Sequence, residues 1–281
     1  AVGGDRLPRP ALELAQLLAL AGGSLPSACL VPQLSDRGLA EGARALCMLG
    51  LCSRTGAGQL LLRSDLQVAL RAALPAQTRA LLAASVLEPP ACEADRARAF
   101  LAWARGEPRE SARRFVELAE HTLGAGEPGE AEALLGEASV LLGSELSASV
   151  GVLRAEALRA LGRYPEALAQ LTQAGLRLID PGMAPAARPL ATLATEPPDA
   201  SSRELTERVE LGLLQAPEGL LLRAEVLRLQ GLGQDARRAA ERLLGSASPV
   251  PPRVLAGARA LLARLCLDRG ELEACRAHAR A

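Results

Sequence analysis

A short glycine-centred motif recurs along the chain between stretches rich in Leu and Ala. Each copy starts with Gly and continues into Pro or acidic residues, and the copies lie at residues 106–110, 126–130, 162–167, 231–236 and 270–274. Glycine permits the left-handed backbone that ends one helix, and Pro or an acidic side chain suits the first turn of the next. The motif therefore predicts successive helical hairpins, as in helical repeat proteins.

The apolar residues also favour helices. Hydrophobic residues make up 49% of the chain but aromatic residues only 1%, so Leu and Ala must supply nearly all of the core. Leu and Ala are strong helix formers, whereas a β-sandwich of this length needs many more β-branched and aromatic side chains. Ile179 is the single isoleucine. The sequence predicts an all-α fold with at most a small β element.

The first 90 residues have a different layout from the rest. Helices are predicted at residues 10–20, 26–31 and 36–49, and two short apolar runs flank a Gly-rich turn within residues 50–63. Such runs around a turn predict a β-hairpin. Because three helices followed by a two-stranded hairpin is the layout of a winged helix, we predict a winged-helix-like domain at residues 1–90.

Residues 91–281 are predicted to form an α-solenoid of tetratricopeptide-like helical hairpins, with an irregular connection at about residues 181–200 that is rich in Pro, Ala and Thr. The clearest repeat begins at Ala155 and ends near Pro181.

Within that repeat, the position of the turn glycine predicts the role of four apolar residues. Leu158 and Leu161 are expected on the inner face of the first helix. Ala174 is expected where the two helices cross, and Leu178 at a large apolar position of the second helix.

The absence of lysine excludes several classes of enzyme. All 32 basic residues are Arg, and Asn is missing too, which is typical of a bacterial genome with high GC content. P-loop nucleoside triphosphatases, protein kinases and Schiff-base enzymes each need a lysine. The 32 acidic residues balance the arginines, which argues against nucleic-acid binding because that function needs a surplus of cations.

Metal, cofactor and membrane sites are not predicted. No two of the six cysteines have CxxC spacing, and most lie in apolar helical stretches, so we expect buried thiols. His121 and His278 have no partner at zinc-ligand spacing. The longest apolar stretches fall short of the ~18 residues that a membrane-spanning helix needs. We therefore expect a cytoplasmic protein without a cofactor.

Residues 60–142 resemble the region that follows the ATPase core in bacterial signal-transduction ATPases of the STAND class, which includes LuxR/MalT-type regulators. The resemblance rests on residues 61–66, 70–79 and 118–128. It implies a winged helix that joins an ATPase core to helical repeats, although that core is absent from this sequence. Ser64 stands where the family has a histidine at the end of the wing strand.

A non-catalytic regulatory scaffold is the function that these features favour. The concave face of a helical array, lined by the first helix of each hairpin, binds peptide segments. Arg154, Arg159, Arg223 and Arg228 occupy polar first-helix positions and are expected to contact an acidic protein partner or a second copy of the chain. Because the chain lacks an initial Met and stops at Ala281 inside a helical pattern, we expect an effector or ATPase domain elsewhere in a longer protein.

Two other functions stay open. A transcription regulator would contact DNA through the helix at residues 36–49, which carries Arg37 and Arg44 but also Glu41. An enzyme would need a nucleophile and a base that converge on His121, and the sequence shows no such set.

Overall fold

The computed structural model describes residues 7–25, 29, 36–55, 59–86, 95–142, 148–179 and 200–280. Helices account for 79% of these residues, in 14 helices beside one three-stranded sheet. The predicted all-α fold with a small β element is confirmed. Nearly all of the predicted helix at 26–31 and of the predicted connection at 181–200 lies outside the described residues.

Contacts between Cα atoms divide the chain into two compact units. The first unit comprises residues 1–118 with 140–142, and the second comprises residues 119–139 with 143–281. The elements up to the first part of α6 are α1 (Arg9–Leu20), β1 (Ser24–Leu25), α2 (Asp36–Met48), β2 (Cys52–Arg54), β3 (Leu60–Leu62), α3 (Ser64–Ala73), α4 (Ala76–Ser85), α5 (Asp95–Ala104) and α6 (Pro108–Gly124).

The predicted β-hairpin is present in the first unit and carries an additional strand. Strands β2 and β3 are antiparallel, with Cys52 opposite Leu62. The two-residue strand β1 pairs with the other edge of β3, with Ser24 opposite Leu61, so the strand order is β1-β3-β2. Strand β1 was not predicted from the sequence.

The core of the first unit is built around α1, whose Leu14 and Leu18 are fully buried. Helix α2 approaches α1 closely at Gly42, where an added Cβ would lie 2.8 Å from the Pro10 carbonyl oxygen. This core continues beyond residue 90, the predicted domain boundary, because Leu101 of α5 is buried in it.

The second unit consists of helical hairpins. After α7 (Pro128–Leu142), the described helices are α8 (Ala148–Ala160), α9 (Tyr164–Ile179), α10 (Ala200–Leu213), α11 (Pro217–Leu229), α12 (Gly233–Leu244), α13 (Pro252–Asp268) and α14 (Leu272–Arg280). The pairs α8/α9, α11/α12 and α13/α14 each pack as a hairpin, and α10 packs against α9. We call α8, α11 and α13 the first helices.

The predicted turn glycines end their helices as expected. All five have positive φ, between 75° and 88°. At Gly162 the backbone N–H donates to the Arg159 carbonyl, and the next N–H donates to the Leu158 carbonyl at 2.9 Å. The same pair of hydrogen bonds occurs at the other four turns. This is the Schellman arrangement, which satisfies the last carbonyls of a helix.

The repeat that starts at Ala155 follows the prediction except at one position. Leu158 and Ala174 are each 2% exposed, and Leu178 packs against the core of the second unit. The prediction for Leu161 is wrong, since this residue is 40% exposed. Leu161 follows the last residue of α8 and lies in the turn itself, beyond the surface that α8 packs against α9.

Candidate functional site

The first helices α8 and α11 carry nearly the same sequence in the same register. Residues 153–162 read Leu-Arg-Ala-Glu-Ala-Leu-Arg-Ala-Leu-Gly, and residues 222–231 read Leu-Arg-Ala-Glu-Val-Leu-Arg-Leu-Gln-Gly. Counted back from the turn glycine, Arg154 is therefore equivalent to Arg223, and Arg159 to Arg228. This internal repeat relates the four predicted site residues to one another.

A hollow of about 370 Å³ lies where the three first helices meet. We call it the first-helix hollow, and its lining residues are Arg159, Glu225, Arg228, Leu229, Gly257, Ala260, Leu261 and Arg264. The hollow brings together two of the predicted residues, one from α8 and one from α11. Its third arginine, Arg264 of α13, was not among the predicted residues.

The first-helix hollow carries an excess of positive charge, with three guanidinium groups against one carboxylate. The Nη1 atom of Arg159 lies 3.9 Å from Oε2 of Glu225, which is a long ion pair. The Nε atoms of Arg159 and Arg228 are buried and have no hydrogen-bond partner among the described residues. Arg264 is exposed, and within the described part of the chain no ion pair is seen for it. Such a set of donors favours an anionic ligand.

A second, larger cavity of about 940 Å³ lies between α10, α11, α12 and the end of α13. We call it the polar cavity, because two nearly buried charged residues line it, Glu210 at 4% and Arg223 at 8% exposure. Glu210 lies 3.0 Å from Nη1 of Arg242, and Arg223 donates to Oγ1 of Thr172 at 3.4 Å. Arg228 lines both the polar cavity and the first-helix hollow.

Burial shifts the two charged groups of the polar cavity towards their neutral forms. Loss of hydration raises the pKa of the Glu210 carboxyl, and the attraction of Arg242 opposes this only in part. Loss of hydration likewise lowers the pKa of Arg223, against the attraction of Glu210. Keeping Glu210 and Arg223 charged therefore costs hydration free energy. Such a cost is typical of a functional polar site as well as of a buried ion pair.

Arg154, the remaining predicted residue, lines neither the first-helix hollow nor the polar cavity. Its Nη2 atom donates to Oε1 of Glu132 at 2.8 Å, and its Nε atom donates to the same oxygen at 3.2 Å. Both side chains are largely covered, so this ion pair joins α8 to α7 within the second unit.

The residues considered for DNA binding and for catalysis lie on exposed surfaces. On α2, Nε of Arg37 donates to Glu41 at 2.9 Å, and Arg44 is exposed. His121 is exposed near the end of α6. Over the described ranges, no group of three or more His, Cys, Asp and Glu residues is placed to hold a metal ion. None of the described helices is long and apolar enough to cross a bilayer.

The described cysteines are free thiols, and three of them, Cys29, Cys52 and Cys266, are buried as expected. Burial raises the pKa of the Cys52 thiol to about 11. Cys47 and Cys275 are only partly buried, and Cys92 lies outside the described residues.

Comparison with known proteins gives no relative: no protein-family model, no curated protein and no solved structure matches this chain.

Proposed function

We propose that the chain is a non-catalytic regulatory scaffold that binds an acidic segment of a partner protein in the first-helix hollow. One observation carries this proposal: first helices from three different hairpins each contribute an arginine to the same hollow. Three guanidinium groups face one carboxylate there, so the hollow has a net positive charge that an acidic segment neutralises. Arginine is also among the residues that contribute most at protein interfaces.

The apolar lining of the first-helix hollow supports a protein segment as the ligand. Leu229 is 39% exposed beside the arginines, and Ala260 is exposed on α13. Mixed apolar and cationic surface suits a peptide that buries aliphatic groups while its carboxylates meet guanidinium groups. Grooves lined by the first helices of helical repeats bind peptides in this way.

We assign the first unit to coupling this array to an effector or ATPase domain outside the chain. Its described elements begin with a helix, a strand, a helix and two strands, α1 to β3, and the strand order is β1-β3-β2. This arrangement and the resemblance of residues 60–142 support a winged-helix-like coupler. The alternative, a transcription regulator, predicts salt-dependent duplex binding that is lost when Arg37 and Arg44 are substituted. The ion pair between Arg37 and Glu41 does not favour it.

Site-specific photo-cross-linking tests the proposed function. A photoreactive amino acid replaces Ala260 in the first-helix hollow or, as the control, Arg276 on the exposed surface of α14. We expect an adduct at position 260 but not at position 276 in an extract of the source cells, and mass spectrometry of the adduct should identify a segment rich in Asp and Glu. Equal products from both positions would contradict the proposal, and an adduct of the chain with itself would make the ligand a second copy.

A further inference from the structure

An ion pair links the first helices of neighbouring hairpins in the second unit. Arg159 lies three residues before its turn glycine, Gly162, and it pairs with Glu225, which lies six residues before Gly231. Because hairpins stack with a repeated geometry, the same contact should recur at the next step along the array. The residue three positions before Gly231 is Arg228.

At the next step the acidic residue is missing. The residue six positions before Gly270, equivalent to Glu225, is Arg264. Arg228 and Arg264 both line the first-helix hollow, so two arginines occupy the positions that an arginine and a glutamate occupy at the first step. The ion pair between α8 and α11 therefore has no counterpart between α11 and α13 among the described residues.

Within the described residues Arg228 has no ion partner, whereas Arg159 has Glu225. Nε of Arg228 is buried and no acceptor for it occurs within the described ranges. A buried donor that lacks a partner costs free energy, and two like charges in one hollow add repulsion. A carboxylate placed between the two arginines relieves this repulsion, because its two oxygens accept several guanidinium N–H groups at once.

We infer that a partner carboxylate occupies the position between Arg228 and Arg264 that Glu225 occupies beside Arg159. The ligand is the side chain of an Asp or Glu in the bound segment, so the inference rests on the proposed function and names the group recognised. The partner thus completes the first-helix hollow: its carboxylate supplies between α11 and α13 the ion partner that Glu225 supplies between α8 and α11.

The Arg264→Glu substitution tests this inference directly, because it supplies the missing acid within the chain. We expect the variant to fold at least as stably as the wild type, since Arg228 then gains an ion partner. We also expect its affinity for a fluorescein-labelled oligoglutamate peptide to fall by about tenfold or more, measured by fluorescence anisotropy. Arg264→Gln, which removes a cation without adding an acid, should lose less affinity.

The matched control is Arg276→Glu, the same change of charge at an exposed position of α14 outside the hollow. It should keep the peptide affinity within about twofold, because exposed charges at a distance are screened by salt. Equal weakening by the two charge reversals would overturn the inference in favour of a net-charge effect. Unchanged binding by Arg264→Glu, or no binding of the peptide to the wild type, would also overturn it.

Competition distinguishes a carboxylate from a phosphate at the same position. We expect glutarate to displace the labelled peptide at a lower concentration than inorganic phosphate does. Displacement by phosphate at the lower concentration would overturn the assignment to a carboxylate. Because the cross-linking experiment at Ala260 does not depend on this peptide, a partner captured there would leave the proposed function standing even if the carboxylate position failed.

Discussion

The crossing of α9 and α10 allows a sharp prediction, because two glycines meet there. A Cβ atom added to Gly212 would lie only 1.9 Å from the carbonyl oxygen of Gly175. That oxygen belongs to the backbone of α9, so no side-chain rotation relieves the clash. Val209 and Leu213, which pack beside the crossing, are almost fully buried. The Gly212→Ala substitution must therefore push α10 away from α9 and loosen the core of the second unit.

The size of the effect follows from the distance. Real Cβ atoms essentially never come closer than 3.0 Å, so the helices must separate by about 1 Å. A gap of that size forfeits roughly a quarter to a half of the dispersion attraction at the contact. Overpacking of a core costs about 1–3 kcal/mol, whereas exchanging Gly for Ala in a helix gains at most about 1 kcal/mol. We expect the free energy of unfolding to fall by about 2 kcal/mol.

Thermal unfolding followed by far-ultraviolet circular dichroism measures this change. A loss of about 2 kcal/mol corresponds to a Tm lower by about 4–8 °C for a protein of this size. The matched control is Gly124→Ala at the end of α6, where an added Cβ has nothing within 4 Å. That variant should be as stable as the wild type or slightly more stable. If Gly212→Ala matched the control, the close approach of α9 and α10 would be refuted.

Three further predictions concern burial and charge. Leu158→Ala should lower the free energy of unfolding by about 2–5 kcal/mol, and Leu161→Ala by under about 0.5 kcal/mol, because Leu158 is buried and Leu161 is not. Urea titrations measure both changes. The hydrogen bond from Arg113 lowers the pKa of Glu110 from 4.5 to about 2. The interaction therefore stabilises the fold above pH 4.5, and this stabilisation is lost between pH 4.5 and about 2. Carboxyl NMR should show the lowered pKa, and Arg113→Gln should move the pKa back up. Burial raises the pKa of Glu210, so its ionisation lowers stability as pH rises above 4.5. Thermal scans should show the wild type losing more stability than Glu210→Gln between pH 4.5 and 7, and equal losses would contradict this.

The helices and their ends were predictable because their signals are local in sequence. A glycine with positive φ ends a helix by hydrogen bonds to residues at most five positions back, as at Gly162 and Gly231. Strands β2 and β3, which pair with each other, are likewise close in sequence. Strand β1 was missed because it has only two residues, Ser24 and Leu25, and its partner β3 lies far along the chain. Two residues are too few to show an alternating pattern.

Packing between distant helices was not predictable from the pattern of apolar residues. Gly175 and Gly212 lie in different helices, and each reads on its own as a weak helix former. Only the close approach of the backbones explains why neither position has a side chain. For Leu161 the pattern of apolar residues was misleading. Its spacing from Leu158 fits one face of a helix, but α8 ends at Ala160, one residue before Leu161.

Equivalent positions in the repeat do not have equivalent neighbours, and this limits how far a site can be predicted from sequence. Arg154 and Arg223 occupy the same position relative to the turn glycine, yet Arg154 binds Glu132 of α7 whereas Arg223 lies near Glu210 of α10. The position along a first helix fixes which way a side chain projects, but the preceding helices decide what it meets. The contacts of Arg159 and Arg228 in the first-helix hollow are made with residues of other first helices. For that reason the register of the turn glycines, once recognised, predicts from sequence alone that Arg228 faces residue 264 as Arg159 faces residue 225.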